Sequence, residues 1–407
     1  MKKRLSYFQY LGFFTIGLVS NIIGPLLPAI RAEMPMSYGQ SGLLLSGMWP
    51  GLILAVLVGG YLSDKYGTKL LLLAGGVALS LGLVGSMASG SHWVLLSWMI
   101  LSGVGFGAFE IGINVWCSVS NDSNKGNALN FLHFFFGLGA IFGPILSTVC
   151  LELLNNWRVV FGVSAILPLV VIVMLSPLRI EKHYPAVPAE SKPVVNKRLL
   201  WICGVLIFAY VGIEVSIQGW LAVFWGKIAQ SGFIPVSLIG SFFWVSLTIG
   251  RLISGRVADR FGLAKFLTTV SLGSIVLALV WVFAHSAWNT LILILLLGFL
   301  LAGIYPTQMA LTTVYYPGMT GMVTSFITGV GSLGALFIPS AFGKLADWIG
   351  IQQLPVIILG LATVMFAFAK YQEIVAKGLA GGKGSSVCWR LLLVFKSLKR
   401  VRPTRWF

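Results

Sequence analysis

The sequence predicts an all-α membrane protein with twelve transmembrane helices in two six-helix halves. Hydrophobic residues make up 57% of the 407 residues and charged residues only 10%, and the mean hydropathy is +0.92. These values lie outside the range of soluble domains. Twelve apolar runs approach the length of about 20 residues that spans a bilayer. A loop motif that recurs 195 positions later indicates an internal duplication.

The apolar runs follow one another along the chain with short polar connections. The first run follows Met1-Lys2-Lys3-Arg4 and is too long for the apolar region of a signal peptide, so we expect a retained helix. The predicted spans are 7–30, 38–62, 70–89, 93–118, 127–151, 157–176, 199–226, 236–257, 265–285, 288–314, 320–344 and 353–371.

The basic residues orient the chain. The net charge is +17, and 23 of the 28 lysines and arginines fall on the side of the two termini. By the positive-inside rule both termini are cytoplasmic, in a multi-pass protein of the cell (plasma) membrane. The positive charge is therefore no argument for nucleic acid as a partner. The four cysteines show no disulfide or metal-ligand spacing, and we expect neither a metal nor a cofactor.

The duplication is visible in the loops after spans 2 and 8. GYLSDKYG at 60–67 and GRVADRFG at 255–262 both fit G-x-x-x-D-[KR]-[YF]-G, and LGAIFGP at 138–144 recurs as LGALFIP at 333–339. The offset is 195 residues in each case. We therefore expect a six-helix half at 1–176, a cytoplasmic linker at 177–198, a second six-helix half at 199–371 and a basic cytoplasmic tail at 372–407.

Twelve spans, two halves, a central basic loop and this loop motif together resemble the major facilitator superfamily over nearly the whole chain. The resemblance implies a rocker-switch transporter whose central site opens alternately to each side. It also implies a gate in which Asp64 meets the start of span 11 near Thr320, where a helix N-terminus stabilises a carboxylate. The alternative is that each motif Asp caps its own glycine turn. The gating candidates are Asp64, Lys65, Gly67, Asp259 and Arg260.

Of the eleven acidic residues, only Glu110 and Glu214 lie well inside predicted spans. A charge at the bilayer centre costs about 2.5 to 3.5 kcal/mol on insertion scales, which makes such a residue a functional-site hypothesis. Asn114 and Gln218 follow the two carboxyls by four residues and so share their helix faces. A carboxyl group removed from water can take up and release a proton near neutral pH. The alternative is that both serve as interhelical hydrogen-bond partners.

Further polar and aromatic residues are candidates for contact with a solute. Asn130 and His133 share a face of span 5, although a lone His in an apolar helix is more often a packing residue. Trp220 of span 7 is a candidate to stack on a sugar ring, and the alternative is that it belongs to the aromatic belt at the membrane interface. The remaining candidates are polar residues of spans 1 and 10, Asn21, Tyr305 and Gln308.

Within the superfamily, the chain most resembles the fucose/galactose/glucose proton symporters. The matching residues are Glu110 with Asn114 in span 4, Leu129-Asn130 and Gly143-Pro144 in span 5, and the YVGIE sequence at 210–214 in span 7. The resemblance implies hexose uptake driven by protons. Fucose symporters carry a carboxylate in span 1, which this chain lacks, so Glu214 would share that work or the coupling differs.

The sequence therefore favours a secondary active transporter that moves a small polar solute by proton symport, and a sugar is the predicted class of solute. One alternative is a drug/proton antiporter, since Gly139, Gly143 and Pro144 resemble part of the antiporter motif. Another is a transporter-like solute sensor that signals through its basic tail. An enzyme is not indicated, because no nucleophile constellation or phosphate loop is present. We expect a monomer whose partners are the solute, protons and the lipid bilayer.

Overall fold

The computed structural model describes residues 2–120, 125–177, 196–228, 234–284, 286–316 and 319–381. Regular structure within these ranges is entirely helical: fifteen α-helices and one 3-10 turn, Ile351–Gln353. The linker predicted at 177–198 and the basic tail lie largely outside the described residues. The helices are α1 Lys2–Ser20, α2 Ile23–Glu33, α3 Tyr38–Leu45, α4 Trp49–Tyr66, α5 Thr68–Met87, α6 His92–Ser120, α7 Lys125–Leu154, α8 Arg158–Leu175, α9 Lys197–Ile228, α10 Ile239–Phe261, α11 Leu263–Val282, α12 Ala287–Leu301, α13 Ile304–Tyr315, α14 Thr320–Ile349 and α15 Leu354–Gly381.

Eleven helical stretches of the described chain are long and apolar enough to cross a membrane. The remaining predicted span, 236–257, corresponds to α10, which is 23 residues long and packs against α7 and α12. This helix carries Arg251 at its middle and Arg256, Asp259 and Arg260 near its end, and these charges lower its hydropathy. With α10 in its place in the bundle, the architecture is the twelve-helix fold that the sequence predicts.

Three of the predicted spans consist of two helices each. Span 1 is broken at residues 21–22, span 2 at 46–48 and span 10 at 302–303. A proline stands in the first turn after each break, at Pro25, Pro50 and Pro306. Proline is tolerated there because the first N–H groups of a helix lack intrahelical partners. The apolar runs therefore continue through the breaks while the helical hydrogen bonds do not.

Several corresponding helices of the two halves begin 195 residues apart, which is the same offset that relates the two loop motifs. The turns after α4 and α10 are made by Gly67 with φ 93° and Gly262 with φ 90°, a left-handed backbone that favours glycine. These two residues are 195 positions apart. The same offset relates the first residues of α1 and α9, of α5 and α11, and of α6 and α12, and both ends of α7 and α14.

The two sets of helices, α1 to α8 (the first half) and α9 to α15 (the second half), meet closely at one end of the bundle. We call this the distal end; α2, α7, α9 and α14 end there. We call the opposite end, at which α7, α9 and α14 begin, the terminal end. Gly42 of α3 lies so close to α14 that an added Cβ would stand 2.8 Å from the Pro339 carbonyl oxygen. At Gly24 of α2 a Cβ would collide with the backbone of α9 at Gln218. Glycine thus permits helix contact between the halves.

Hydrogen bonds reinforce the contact at the distal end. The backbone N–H groups of Tyr38 and Gly39, at the start of α3, donate to the carboxylate of Asp347 at 2.6 and 2.9 Å. Further bonds between the halves run from Ser340 Oγ to the Gly42 carbonyl (3.1 Å), from Ser241 Oγ to the Ile141 carbonyl (2.8 Å) and between Thr148 and Ser237 (2.7 Å). The bundle is therefore closed at this end.

Candidate functional site

The two intramembrane carboxyls approach a common region from opposite halves. Glu110 lies in α6 and Glu214 in α9, and both side chains are half-buried. Both carboxyls lie within electrostatic range of the Tyr305 hydroxyl in α13. The Tyr305 hydroxyl is hydrogen-bonded to the Thr328 hydroxyl of α14 at 3.1 Å. The structure thus brings Glu110, Glu214 and Tyr305, three of the residues that the sequence predicts, into one polar cluster.

Two residues of this cluster were not among the predicted site residues. Tyr210 is fully buried in α9, and its ring centre lies 6.3 Å from that of Tyr305. Arg251 of α10 is half-buried, and its charge acts on Tyr210, Glu214 and Tyr305. The sequence offered a signal for Arg251, because the cost of a charge inside a span applies to a cation as it does to a carboxylate.

His133 approaches the cluster from α7. Its side chain is exposed, its ring stands edge-on to Phe13 with the centres 5.2 Å apart, and it lies within Coulombic range of Arg251. Asn130, its predicted neighbour, has a side chain outside the described set. Asn114, one turn after Glu110 in α6, is half-buried. His133 is therefore an exposed side chain of α7 within electrostatic range of Arg251 of α10.

The internal repeat relates parts of the cluster to one another. The offset of 195 residues carries Glu110 onto Tyr305 and His133 onto Thr328. Tyr305 and Thr328 are hydrogen-bonded in the second half. The corresponding positions of the first half hold two titratable groups instead. At the positions where the second half has a hydroxyl pair, the first half therefore has a carboxyl and an imidazole.

Asn21 and Gln218 belong to the distal closure. Asn21 is buried at the break between α1 and α2, where its amide donates to the Gly17 carbonyl at 2.8 Å. The Gln218 amide donates to the Ser20 carbonyl at 2.5 Å. A side chain of α9 thereby binds a carbonyl that the break in span 1 leaves without an intrahelical partner.

Trp220 and Gln308 are both fully buried. The Trp220 indole N–H donates to the Pro339 carbonyl at 3.2 Å, and its ring packs against Phe342 and Tyr38. It fills the contact between α9 and α14 near the distal end. The Gln308 amide donates to Thr312 one turn further along α13 at 3.2 Å. Neither side chain shows a contact with the cluster around Glu110 and Glu214.

A family comparison decides what kind of protein presents this cluster. The family model described as Major Facilitator Superfamily matches residues 10–339, which is most of the chain. The protein belongs to the major facilitator superfamily. It is accordingly a multi-pass membrane transporter for small molecules and not an enzyme, as the sequence predicts.

Individual relatives are distant. The chain is 24% identical to the glucose/mannose transporter GlcP of Bacillus subtilis, over 88% of this chain and 91% of the relative. It is also 24% identical to the fosmidomycin resistance protein of Escherichia coli, again over 88% and 91%. Among solved structures it is similar to a D-xylose-proton symporter, with a TM-score of 0.80, 15% identity and coverage of 90% and 96%.

The superfamily loop motif lies at the terminal end. Lys65 stands over the rings of Tyr61 and Tyr66, at 5.6 and 5.1 Å from their centres. Asp259 and Arg260 are both exposed. The side chain of Asp64 lies outside the described set. The predicted contact of Asp64 with the start of α14 therefore stays a prediction.

An apolar groove of about 400 Å³ between α1, α7 and α8 is separate from the polar cluster of this superfamily member. No group of three or more potential metal ligands occurs among the residues described. The groove holds no titratable side chain, so we assign it no part in the central site. It is lined by Phe14, Leu18, Phe142, Ile145, Leu146, Val149, Val163, Ile166 and Leu167.

Proposed function

We propose that this protein is a proton-coupled symporter of a small hydroxylated solute of the sugar class, working by alternating access. The observation that carries the proposal is that Glu110 and Glu214, from opposite halves, both lie within electrostatic range of Tyr305. Charged side chains inside spans mark ion and substrate pathways. The names of the xylose-proton symporter and the glucose/mannose transporter support a sugar.

In this mechanism the proton acts by neutralising a carboxyl between the halves. A charged Glu110 or Glu214 needs water or a counter-charge, whereas the protonated form tolerates the enclosed state in which neither end is open. Proton and solute therefore enter the enclosed state together. Asn114, His133, Tyr305 and Thr328 supply hydrogen-bonding groups for solute hydroxyls around the two carboxyls.

We propose that the structure represents a state that is closed toward the outside. Its halves touch at the distal end, which faces the outside if the termini are cytoplasmic, as the basic residues favour. Asn21, Gln218 and Trp220 support this closure through the contacts described above. Asp64 and Asp259 would serve at the terminal end in the opposite state. We propose that the protein carries out this cycle as a monomer in the cell membrane.

The test is uptake of a labelled hexose panel by proteoliposomes with and without an inward proton gradient. Wild type should accumulate at least one sugar above equilibrium. Glu110→Gln and Glu214→Gln should reduce this to exchange that equilibrates across the membrane, because a side chain that cannot ionise cannot couple a proton. Glu152→Gln, at an exposed position of α7, is the control and should behave as wild type.

The alternative function is a proton-driven efflux antiporter, which the likeness to the fosmidomycin resistance protein favours. The same liposomes distinguish the two. If no sugar moves under any gradient while a drug or lipophilic cation is transported against an opposing proton gradient, the symport proposal is wrong. Coupling residues would then still be sought at Glu110 and Glu214.

A further inference from the structure

Arg251 is a half-buried cation at the middle of α10, and the symport mechanism above gives it no task. It shares a helix face with Trp244 and Thr248, at positions i, i+4 and i+7. Its guanidinium stands 5.9 Å from the centre of the Trp244 ring. That ring packs edge-on against Phe136 of α7, with the centres 5.8 Å apart. Arg251 therefore lies near the contact between the halves, within electrostatic range of His133.

Within the described residues, no carboxylate forms a salt bridge with the guanidinium. Among the residues that the structure describes, the salt bridges are Arg158 with Glu33 and Lys370 with Glu373. Glu214 is close enough to act on Arg251 through its charge, yet it forms no salt bridge with it. A cation inside a bundle is costly unless an anion and hydrogen-bond acceptors surround it. Glu214 supplies a nearby carboxyl but no direct ion pair, so the guanidinium is left with room for a carboxylate in direct contact.

Buried donors around Arg251 likewise lack acceptors. The Trp244 indole N–H and the Thr248 hydroxyl are buried and have no hydrogen-bond partner within the described part of the chain. A buried donor without an acceptor is destabilising. Tyr210 lies beside the guanidinium, and Trp244 and Thr248 share its helix face. Two neutral donors without acceptors and one cation therefore share one side of the polar cluster.

We propose that the solute carries a carboxylate and that Arg251 binds it. The inference rests on the proposed symport function and narrows its substrate class from a sugar to a sugar acid. A guanidinium binds a carboxylate through two parallel N–H···O bonds, and the Trp244 N–H and the Thr248 hydroxyl are donors for the remaining lone pairs. Glu110, Asn114 and Tyr305 then face the hydroxyl end of the same molecule.

The experiment compares three probes in proteoliposomes under an inward proton gradient: D-glucuronate, D-glucose and the methyl ester of D-glucuronate. The probes share ring and hydroxyls and differ at one carbon. Wild type should prefer glucuronate to glucose and to the ester by about 10- to 100-fold in half-saturating concentration, the range expected for hydrogen bonds to a charged group. This ratio needs no variant and so cannot be lost through misfolding.

Variants then assign the preference to Arg251. Arg251→Gln should remove most of the preference for glucuronate while uptake of the ester persists, and Arg251→Lys should keep part of it, because lysine retains charge without the two-pronged geometry. Arg256→Gln, an exposed cation of the same helix, should leave the ratio unchanged. If Arg251 only paired with Glu214, its removal would lower uptake of all probes equally.

Three results would overturn the inference. If wild type accumulates glucose as well as or better than glucuronate, the carboxylate proposal is wrong and sugar symport stands. If glucuronate is preferred but Arg251→Gln keeps the full preference, another group binds the carboxylate. If none of the probes or the hexose panel accumulates under a gradient, the symport function itself fails, and the sugar-acid inference fails with it.

Discussion

At the scale of single residues, the hydroxyl pair of Tyr305 and Thr328 can be tested apart from proton coupling. Tyr305→Phe removes a donor and acceptor beside both carboxyls, so we expect the half-saturating solute concentration to rise about 3- to 10-fold, as for loss of one hydrogen bond. The coupling to the proton gradient should persist. Tyr315→Phe is the control, because that hydroxyl bonds the Gln372 carbonyl at 3.4 Å, away from the cluster. An unchanged affinity in Tyr305→Phe would place the solute elsewhere.

Trp220 offers a second test at this scale. Trp220→Phe deletes the N–H that bonds the Pro339 carbonyl and leaves a smaller ring against Phe342. We expect the thermal midpoint of the purified protein to fall by a few degrees, from a loss of about 1 to 2 kcal/mol, with solute affinity little changed. Trp348→Phe, at a side chain that is 88% exposed, should alter neither. A selective loss of affinity in Trp220→Phe would instead support stacking on the solute.

The charged residues of the candidate site could be predicted from the sequence, because a charged side chain inside a span loses its hydration. The cost of a charge in a span singles out Glu110 and Glu214 without knowledge of the fold, and the same reasoning applies to Arg251. The surroundings of Trp220 or Gln308 could not be foreseen. In an apolar helix the face that meets the neighbours is decided by tertiary packing, and periodicity does not mark it when every face is apolar.

At the scale of helices, hydropathy predicts where spans run but not where they break. The sequence around residues 46–48 stays apolar, and Ser46, Gly47 and Pro50 become informative only when α3 is seen to end at Leu45. The break lets the Ser46 hydroxyl donate across the halves to the Ala335 carbonyl at 3.3 Å. Interruptions of this kind are tolerated in a membrane where protein, and not lipid, satisfies the freed groups.

The close contact between α3 and α14 at Gly42 leads to a prediction at the scale of helices. Gly42→Val should prevent closure of the distal end, because even a Cβ would stand 2.8 Å from the Pro339 carbonyl oxygen. We expect loss of uptake together with increased reaction of a membrane-impermeant thiol reagent with a cysteine placed at Ser340. Gly360→Val is the control, since a Cβ there would meet no atom within 4 Å. Normal uptake by Gly42→Val would show that this contact is not required for the cycle.

At the scale of the whole molecule, the repeat was readable from the sequence and the conformation was not. The offset from Asp64 to Asp259 recurs in the boundaries of α5 and α11 and of α7 and α14. A transporter that works by alternating access has at least two arrangements of its halves for one sequence. The arrangement that the protein adopts depends on contacts between the halves, such as those of Asp347. Asp347 lies near a helix end, where the sequence alone would predict a solvent-exposed carboxylate.

Asp347 and Asp64 are predicted to act as opposing latches. Asp347, near the end of α14, binds the first N–H groups of α3; the loop motif predicts that Asp64, near the end of α4, binds the start of α14. Asp347→Asn should therefore shift the population toward the distal-open state, and Asp64→Asn toward the terminal-open state. Distances between spin labels at positions 153 and 348 report the distal end, and those at 61 and 261 report the terminal end.

The double variant discriminates between latches and general loss of stability. If each carboxylate stabilises one state by a contact between the halves, the two shifts oppose each other, and Asp64→Asn with Asp347→Asn should return toward the wild-type distance distribution. Glu33→Gln is the matched control, because Glu33 bonds Trp157 and Arg158 within the first half and should move neither distribution. Shifts of the same sign in the two single variants would contradict the latch assignment. A common loss of rigidity would displace the conformational equilibrium in one direction, whereas two opposing latches displace it in opposite directions.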